Sequence, residues 1–167
     1  FLDDAGVKTP VEVNLQYNPD HYGASSDQEY NAIKHQLEST DLFKVNLQAT
    51  EWETYSEDYP ADAYPVHQLG WFPDFPDADN YLSPFLARYN DKTPGNFTNS
   101  HYNEIGSDFE DKEMSTLLDD QRTEGDEAAR EKLLGEVQLR LAEQVPYLPL
   151  LTGAQVAVAG KDVQGVA

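Results

Sequence analysis

Val11-Glu12-Val13-Asn14-Leu15-Gln16-Tyr17 decides the fold of this chain. Val11, Val13, Leu15 and Tyr17 alternate with polar residues, a period of two that gives a strand one apolar face. Asn18-Pro19-Asp20 ends the strand, because proline cannot extend a ladder and Asn and Asp favour turns. Ser26-Asp27-Gln28-Glu29 then fits a capping box, with Ser at the cap and Glu three positions on. Tyr30, Ile33 and Leu37 follow at helical spacing, so a helix is predicted over 27–39. Phe43, Val45, Leu47 and Ala49 alternate again and predict a second strand. Strand, helix and strand in this succession form a βαβ unit, with the two strands parallel.

Beyond this unit, Val66 to Gly70 is expected as a short third strand, and Asp79 to Leu86 as a short helix. Residues 90–107 are rich in Asn, Gly, Thr and Ser and read as an irregular loop. Phe109, Met114, Leu117 and Leu118 predict a helix over 108–122, broken at Gly125-Asp126. Ala129, Leu133, Leu134, Val137, Leu141 and Val145 mark a longer helix over 126–144, stopped before Pro146. Tyr147 to Leu151 and Gln155 to Ala159 are expected as two last strands. The fold class is therefore α/β: a mixed sheet flanked by helices, as one domain over 1–167.

With 167 residues the chain is long enough for one domain with its own core. It opens on Phe1 and stops soon after a strand-like run, and we expect a piece of a longer protein. Its 31 acids against 11 Lys and Arg leave a net charge of -20. Nucleic acid is excluded as a partner, because phosphate backbones require clustered Lys and Arg. Anionic membrane surfaces are disfavoured for the same reason. A cationic ligand, an extracellular setting or a salt-rich setting fits, as does plain solubility. With no Cys there is no disulfide, catalytic thiolate or Cys-held metal. No apolar run approaches the ~18 residues of a membrane span.

The densest chemistry lies in Gly70-Trp71-Phe72-Pro73-Asp74-Phe75-Pro76-Asp77-Ala78-Asp79-Asn80-Tyr81. Closely spaced prolines stop it from continuing a strand or entering a helix, so it is expected as a fixed loop. Such a loop can present the flat faces of Trp71 and Phe72 and the charge of Asp74 to one ligand. Trp52, in Thr50-Glu51-Trp52-Glu53-Thr54-Tyr55, also sits just after a predicted strand. In an open α/β sheet, ligands gather outside the carboxyl ends of strands. Two strand-end aromatics and an acid are what a peptide or sugar site uses: stacking area and one charged anchor. Burial of Trp71 in a core, and Asp74 as the cap of the next turn, are the plainer alternatives.

Catalytic signals fail. There is no Gly-x-Ser-x-Gly, and so many acids make some close carboxylate pair inevitable, so a glycosidase pair does not follow from counting. No metal site is expected either. His21, His35, His67 and His101 form no H-x-x-x-H pair, and Asp77-Ala78-Asp79-Asn80 lacks the later positions of a calcium loop.

Taken in order, these segments resemble the C-terminal lobe of a family 5 extracellular solute-binding protein, the peptide/nickel-binding type that feeds ABC importers. The resemblance rests on Ala5-Gly6-Val7 with the strand 11–17, on Ile33 to Glu38 and on Val45 to Gln48. It continues through Glu51-Trp52, Trp71 to Asp77 and Asn99-Ser100-His101-Tyr102 to Arg130 to Gln138 and Val145 to Leu150. It implies one lobe of a two-lobed, type II clamp, with the N-terminal lobe outside this chain. By analogy, Asp74 pairs with the α-ammonium of a peptide, Trp52 lines a side-chain pocket, and Trp71 and Phe72 stand beside the anchor. Ala78 replaces a proline common in that loop. The resemblance further implies a monomer without cofactor or enzymatic activity, partnered by membrane permease subunits. Its setting would be extracellular or periplasmic, held by an N-terminal lipid anchor. Other members bind oligosaccharides, nickel complexes or opines, so an oligosaccharide stays open as the solute. A secreted carbohydrate-active enzyme and a purely structural surface domain are the rivals from other classes.

Overall fold

The computed structural model describes residues 2–87, 109–153 and 158–165. Its first half is the expected βαβ unit. Strand β1 (Val11–Tyr17) leads through helix α1 (Ser26–Glu38) to strand β2 (Phe43–Ala49). The two strands are parallel and in register along their whole length, from Val11 opposite Phe43 to Tyr17 opposite Ala49. Strand β3 (Val66–His67) pairs with the other side of β1, also in parallel, giving the order β2-β1-β3. Helix α2 (Trp52–Asp58) and a 3-10 turn (Tyr59–Ala61) lie between β2 and β3. The second half is helical: α3 (Asp79–Leu86), α4 (Lys112–Thr123) and α5 (Glu127–Gln144). The α/β class expected from the alternating strands and periodic helices is what forms.

Two apolar clusters hold these halves. Leu15, Tyr17, Tyr30 and Val45 are buried between the sheet and α1, with Val13, Ile33, Leu37, Phe43 and Leu47 packed around them. Tyr17 and Tyr30 stack face to face at 5.0 Å. Leu86, Ala87, Met114, Leu118 and Val137 form the second cluster where α3, α4 and α5 meet. Apart from Leu86 and Ala87, these are residues whose period of two or of 3.6 marked them as inward-facing.

Strand β2 is an edge strand among the described residues, and Val45 within it is fully buried. An unpaired backbone group there would be costly. Two α1 side chains replace the missing neighbour. The Val45 N–H donates to Glu38 Oε1 at 3.0 Å, and its carbonyl accepts from Lys34 Nζ at 2.6 Å. Lys34 and Glu38 are one helical turn apart and also pair with each other. The Val45 N–H bond holds the Glu38 carboxyl below the usual carboxylate range.

Three local expectations are corrected, and one helix is new. The capping box at Ser26 does not form: the helix already includes Ser26, and its hydroxyl turns back to donate to the Gly23 carbonyl at 3.0 Å. The third strand stops at His67 rather than Gly70, because the Gln68 carbonyl accepts from Tyr55 Oη and its side chain turns to β1. Residues 52–58, to which the sequence pattern assigned no element, are helical, with Trp52 and Tyr55 one turn apart and Tyr59 following in the 3-10 turn. Tyr147–Leu151 makes no strand: no strand lies beside it among the described residues, and Leu148, Leu150 and Leu151 are exposed. The 90–107 loop, the Asn99–Tyr102 motif and most of the 155–159 segment lie outside the described residues, and Val158 is exposed and irregular.

The helical half is fastened by Asp111. It caps α4 by accepting the Met114 N–H at 2.8 Å, and it receives Nε and Nη2 of Arg140, at 2.8 and 2.6 Å, from α5. The Arg140 guanidinium is the main cause that holds the Asp111 carboxyl below its ordinary range. A carboxyl with a depressed folded pKa stabilises above its unfolded value, and that contribution is lost as pH falls through the folded value. Asp111→Ala is therefore expected to lower stability by about 1–2 kcal/mol at pH 7. In urea unfolding, the gap between wild type and variant should shrink steadily as the pH falls below about 4.

Candidate functional site

Because all three described strands run parallel, their carboxyl ends open on one edge, and three connecting segments meet there. Asn18, just past β1 and fully buried, binds them together. Its side-chain amide donates to the Thr50 carbonyl at 2.9 Å, at the end of β2, and to Asp20 Oδ1 at 2.7 Å. Its backbone N–H donates to Gln68 Oε1 at 2.9 Å, just past β3. Its side-chain oxygen accepts the His21 N–H at 2.5 Å. Asp20 Oδ1 in turn accepts the Trp52 N–H at 3.1 Å, which sets the start of α2.

Trp52 is half-buried on this edge, but it is not a bare plate. The His21 imidazole lies parallel to it, with ring centroids 3.7 Å apart and planes within 8°. Tyr22 stands edge-on to both rings, at 4.8 Å from His21 and 5.7 Å from Trp52. Tyr22 also reaches the third strand end. Its side chain is hydrogen-bonded to the Gly70 backbone, and burial raises the phenol above its usual range. A Cβ added to Gly70 would lie 2.5 Å from Tyr22 Cε1, so this close approach requires glycine.

From Gly70 the chain enters the proline-rich loop. Trp71 is half-buried and meets Phe85 of α3 edge-on at 5.3 Å. The buried Asn80 accepts both the Trp71 indole N–H and the Asp74 backbone N–H, each at 2.9 Å. One side-chain oxygen thus fixes the aromatic ring and the acid relative to each other. The Asp74 carboxylate itself is exposed, with no hydrogen bond or ion pair among the described residues. It does not cap the following turn. Phe72 keeps 69% of its surface exposed.

The base of the loop is pinned from the helical half. Asp77 receives both terminal nitrogens of Arg130 on α5, at 2.9 and 2.6 Å, and the Asp79 N–H at 2.8 Å. The Arg130 pairing is the main reason its carboxyl stays below the ordinary range. Asp79 accepts from Gln121 and from Arg122 Nε, both on α4. Gln121, fully buried, also accepts from Arg130, which closes the network. Asp77 and Asp79 are thus spent on arginines rather than offered to a ligand.

The structure places Trp52, Trp71, Phe72 and Asp74 on segments that leave the same edge. Neither tryptophan is fully buried. Reading the sequence left Asn18, Tyr22, Asn80, Gln121 and Arg130 without a role. Asn18 read only as a strand stop, and Arg130 is 53 positions from the acid it holds. The one legible trace was His21-Tyr22 directly after the Asn-Pro-Asp stop, two more rings at a strand end.

Two outcomes follow for this edge. Asn80→Ala should cost about 1–3 kcal/mol in urea unfolding, since it leaves two donors without their acceptor. Gly70→Ala should cost about 1–3 kcal/mol by forcing Tyr22 aside. The same change should alter the near-UV circular dichroism of the aromatic group.

The chain and its fold have relatives among known proteins. The model of the bacterial extracellular solute-binding proteins, family 5, matches residues 1–93. The chain is 27% identical over 155 residues to the oligopeptide-binding protein OppA of Bacillus subtilis, covering 93% of this chain and 26% of that protein. It is 30% identical over 138 residues to di/tripeptide-binding protein 4 of Pseudomonas aeruginosa, covering 80% and 24%. The chain thus spans about a quarter of the length of these relatives. Among solved structures, the Helicobacter pylori periplasmic binding protein DppA in complex with the peptide STSA superposes with a TM-score of 0.70 at 18% identity. That match covers 89% of this chain and 27% of DppA, and at this identity it carries the fold alone. The matched family model, the 30% relative and the shared fold together place this chain in family 5 of the bacterial extracellular solute-binding proteins.

Proposed function

We propose that this chain supplies one lobe of a two-lobed clamp that captures a peptide and delivers it to the permease of an ABC importer. The observation that carries the reading is Asp74. Its carboxylate is exposed and without a partner among the described residues, while its backbone is held by Asn80 on a loop braced by Arg130. A fixed, unspent carboxylate beside aromatic rings is suited to a peptide α-ammonium, with Trp71, Phe72 and Trp52 as apolar surface. Because the loop is held before the ligand arrives, little entropy is lost in fixing it. Closure of a second lobe would exclude water and strengthen the charged contact. Relatives named for oligopeptides and di- or tripeptides support this reading.

In this reading the protein is a binder rather than an enzyme and needs no cofactor. It works as a monomer outside the cytoplasmic membrane, tethered by a lipid anchor on the longer polypeptide. A non-peptide solute is the second reading. The chain has the fold of a binding protein solved with agropinic acid, at a TM-score of 0.66 and 23% identity.

A charge-assisted hydrogen bond to an ammonium contributes about 1.5–3 kcal/mol, or about ten- to a hundredfold in affinity. In the full-length protein, Asp74→Asn should weaken free-amine peptides by that factor in calorimetry. N-acetylated peptides should bind the wild type poorly and be nearly indifferent to the change. If Asp74→Asn leaves free-amine peptides unaffected, or agropinic acid binds and peptides do not, the peptide reading falls.

A further inference from the structure

His21 is an exposed residue that the proposed contacts leave unused, although it is as firmly placed as Trp52. The Asn18 side chain accepts the His21 N–H, and Asp20 accepts the Trp52 N–H, so one short turn holds both rings. The parallel stack at 3.7 Å covers one face of the indole, and Tyr22 braces the two rings edge-on. On the covered side the surface open to a ligand is the outer face of the imidazole, backed by the indole.

The charge around this plate is one-sided. No Lys or Arg occurs in residues 9–33 or 45–87, the stretches that supply β1, most of α1, β2 from Val45 on, and the three strand-end segments. Glu51 and Glu53 flank Trp52 along the chain, and Asp20 precedes His21. Glu51 and Glu53, like Asp74, are exposed. Among the described residues, the arginines that reach the base of the loop, Arg122 and Arg130, are committed to Asp79 and Asp77.

We propose that His21 is a specificity-determining residue, and that its outer face, backed by Trp52, takes the guanidinium of an arginine in the bound peptide. A guanidinium is planar, stacks on aromatic faces and carries its positive charge into a negative surrounding. A lysine ammonium brings the same charge but no plane. A citrulline side chain brings the plane without the charge. The inference rests on the peptide reading and names the side chain that the peptide supplies.

The test is calorimetry of the full-length protein with free-amine tripeptides of alanine carrying one arginine, lysine or citrulline at each position in turn. At the preferred position, arginine should bind about three- to tenfold tighter than either substitute. His21→Phe keeps a flat ring on Trp52 and should preserve the arginine-over-lysine ratio. His21→Leu keeps the indole covered by a side chain without a plane and should bring that ratio to within about twofold. Asp74→Asn should weaken all the peptides together and leave the ratio unchanged. Equal binding of arginine and lysine peptides by the wild type, or an unchanged ratio in His21→Leu, overturns the proposal. If the peptides bind and respond to Asp74→Asn but show no arginine preference, only this inference falls. If none of them binds, the peptide reading falls with it.

Discussion

The buried side chain of Asn18 is the contact on which the functional edge depends. Three parallel strands deliver three chain ends to one side of the sheet, but nothing in strand pairing fixes how the connections then turn. Asn18 fixes them by spending its hydrogen-bonding groups at once on the Thr50 carbonyl, Asp20, the His21 N–H and Gln68. A buried amide must be satisfied, and here every partner belongs to a segment of the site or its support. The same residue that stops β1 thus sets the positions of His21, Trp52 and the approach to Gly70.

A second constraint governs the loop itself. Prolines stiffen the backbone around Asp74, yet stiffness does not set direction. Direction comes from Asn80, which receives the Trp71 indole and the Asp74 amide on one oxygen, and from Arg130, which grips Asp77 from α5. The two apolar clusters among the described residues are separate, one under the sheet and one among the helices. The loop runs between them, so its shape depends on both. The charged network at its base also keeps Asp77 and Asp79 occupied, and Asp74 is left as the exposed acid of the loop.

Parallel sheets are ordinarily covered on both faces. Here the face opposite α1 carries Glu12, Asn14, Lys44, Asn46 and Gln48, all exposed, with Glu12 paired to Lys44 across the strands and Asn14 to Asn46. That polar ladder is why β1 and β2 read as alternating strands in the sequence, whereas strands buried on both faces read as continuous apolar runs. Alternation made these elements legible, and among the described residues the edge of β2 at Val45 meets side chains of α1 rather than another strand.

What the sequence determined by itself was every element whose signal is local and periodic. Strands 11–17 and 43–49, helix α1 and the last two helices follow from spacing that repeats within a few residues. The short α2 was missed because its seven residues carry only two aromatics, Trp52 and Tyr55, too few to establish a helical period. Tyr147–Leu151 was read as a strand from apolar content, but a strand exists only where a neighbour offers its backbone. The candidate site was half legible: aromatics and an acid at strand ends point to binding by type alone. Only the tertiary structure decided which acid is left exposed, which ring lies on Trp52 and what holds the loop. Those answers depend on contacts between residues as far apart as Asp77 and Arg130, and no local pattern encodes a partner at that distance.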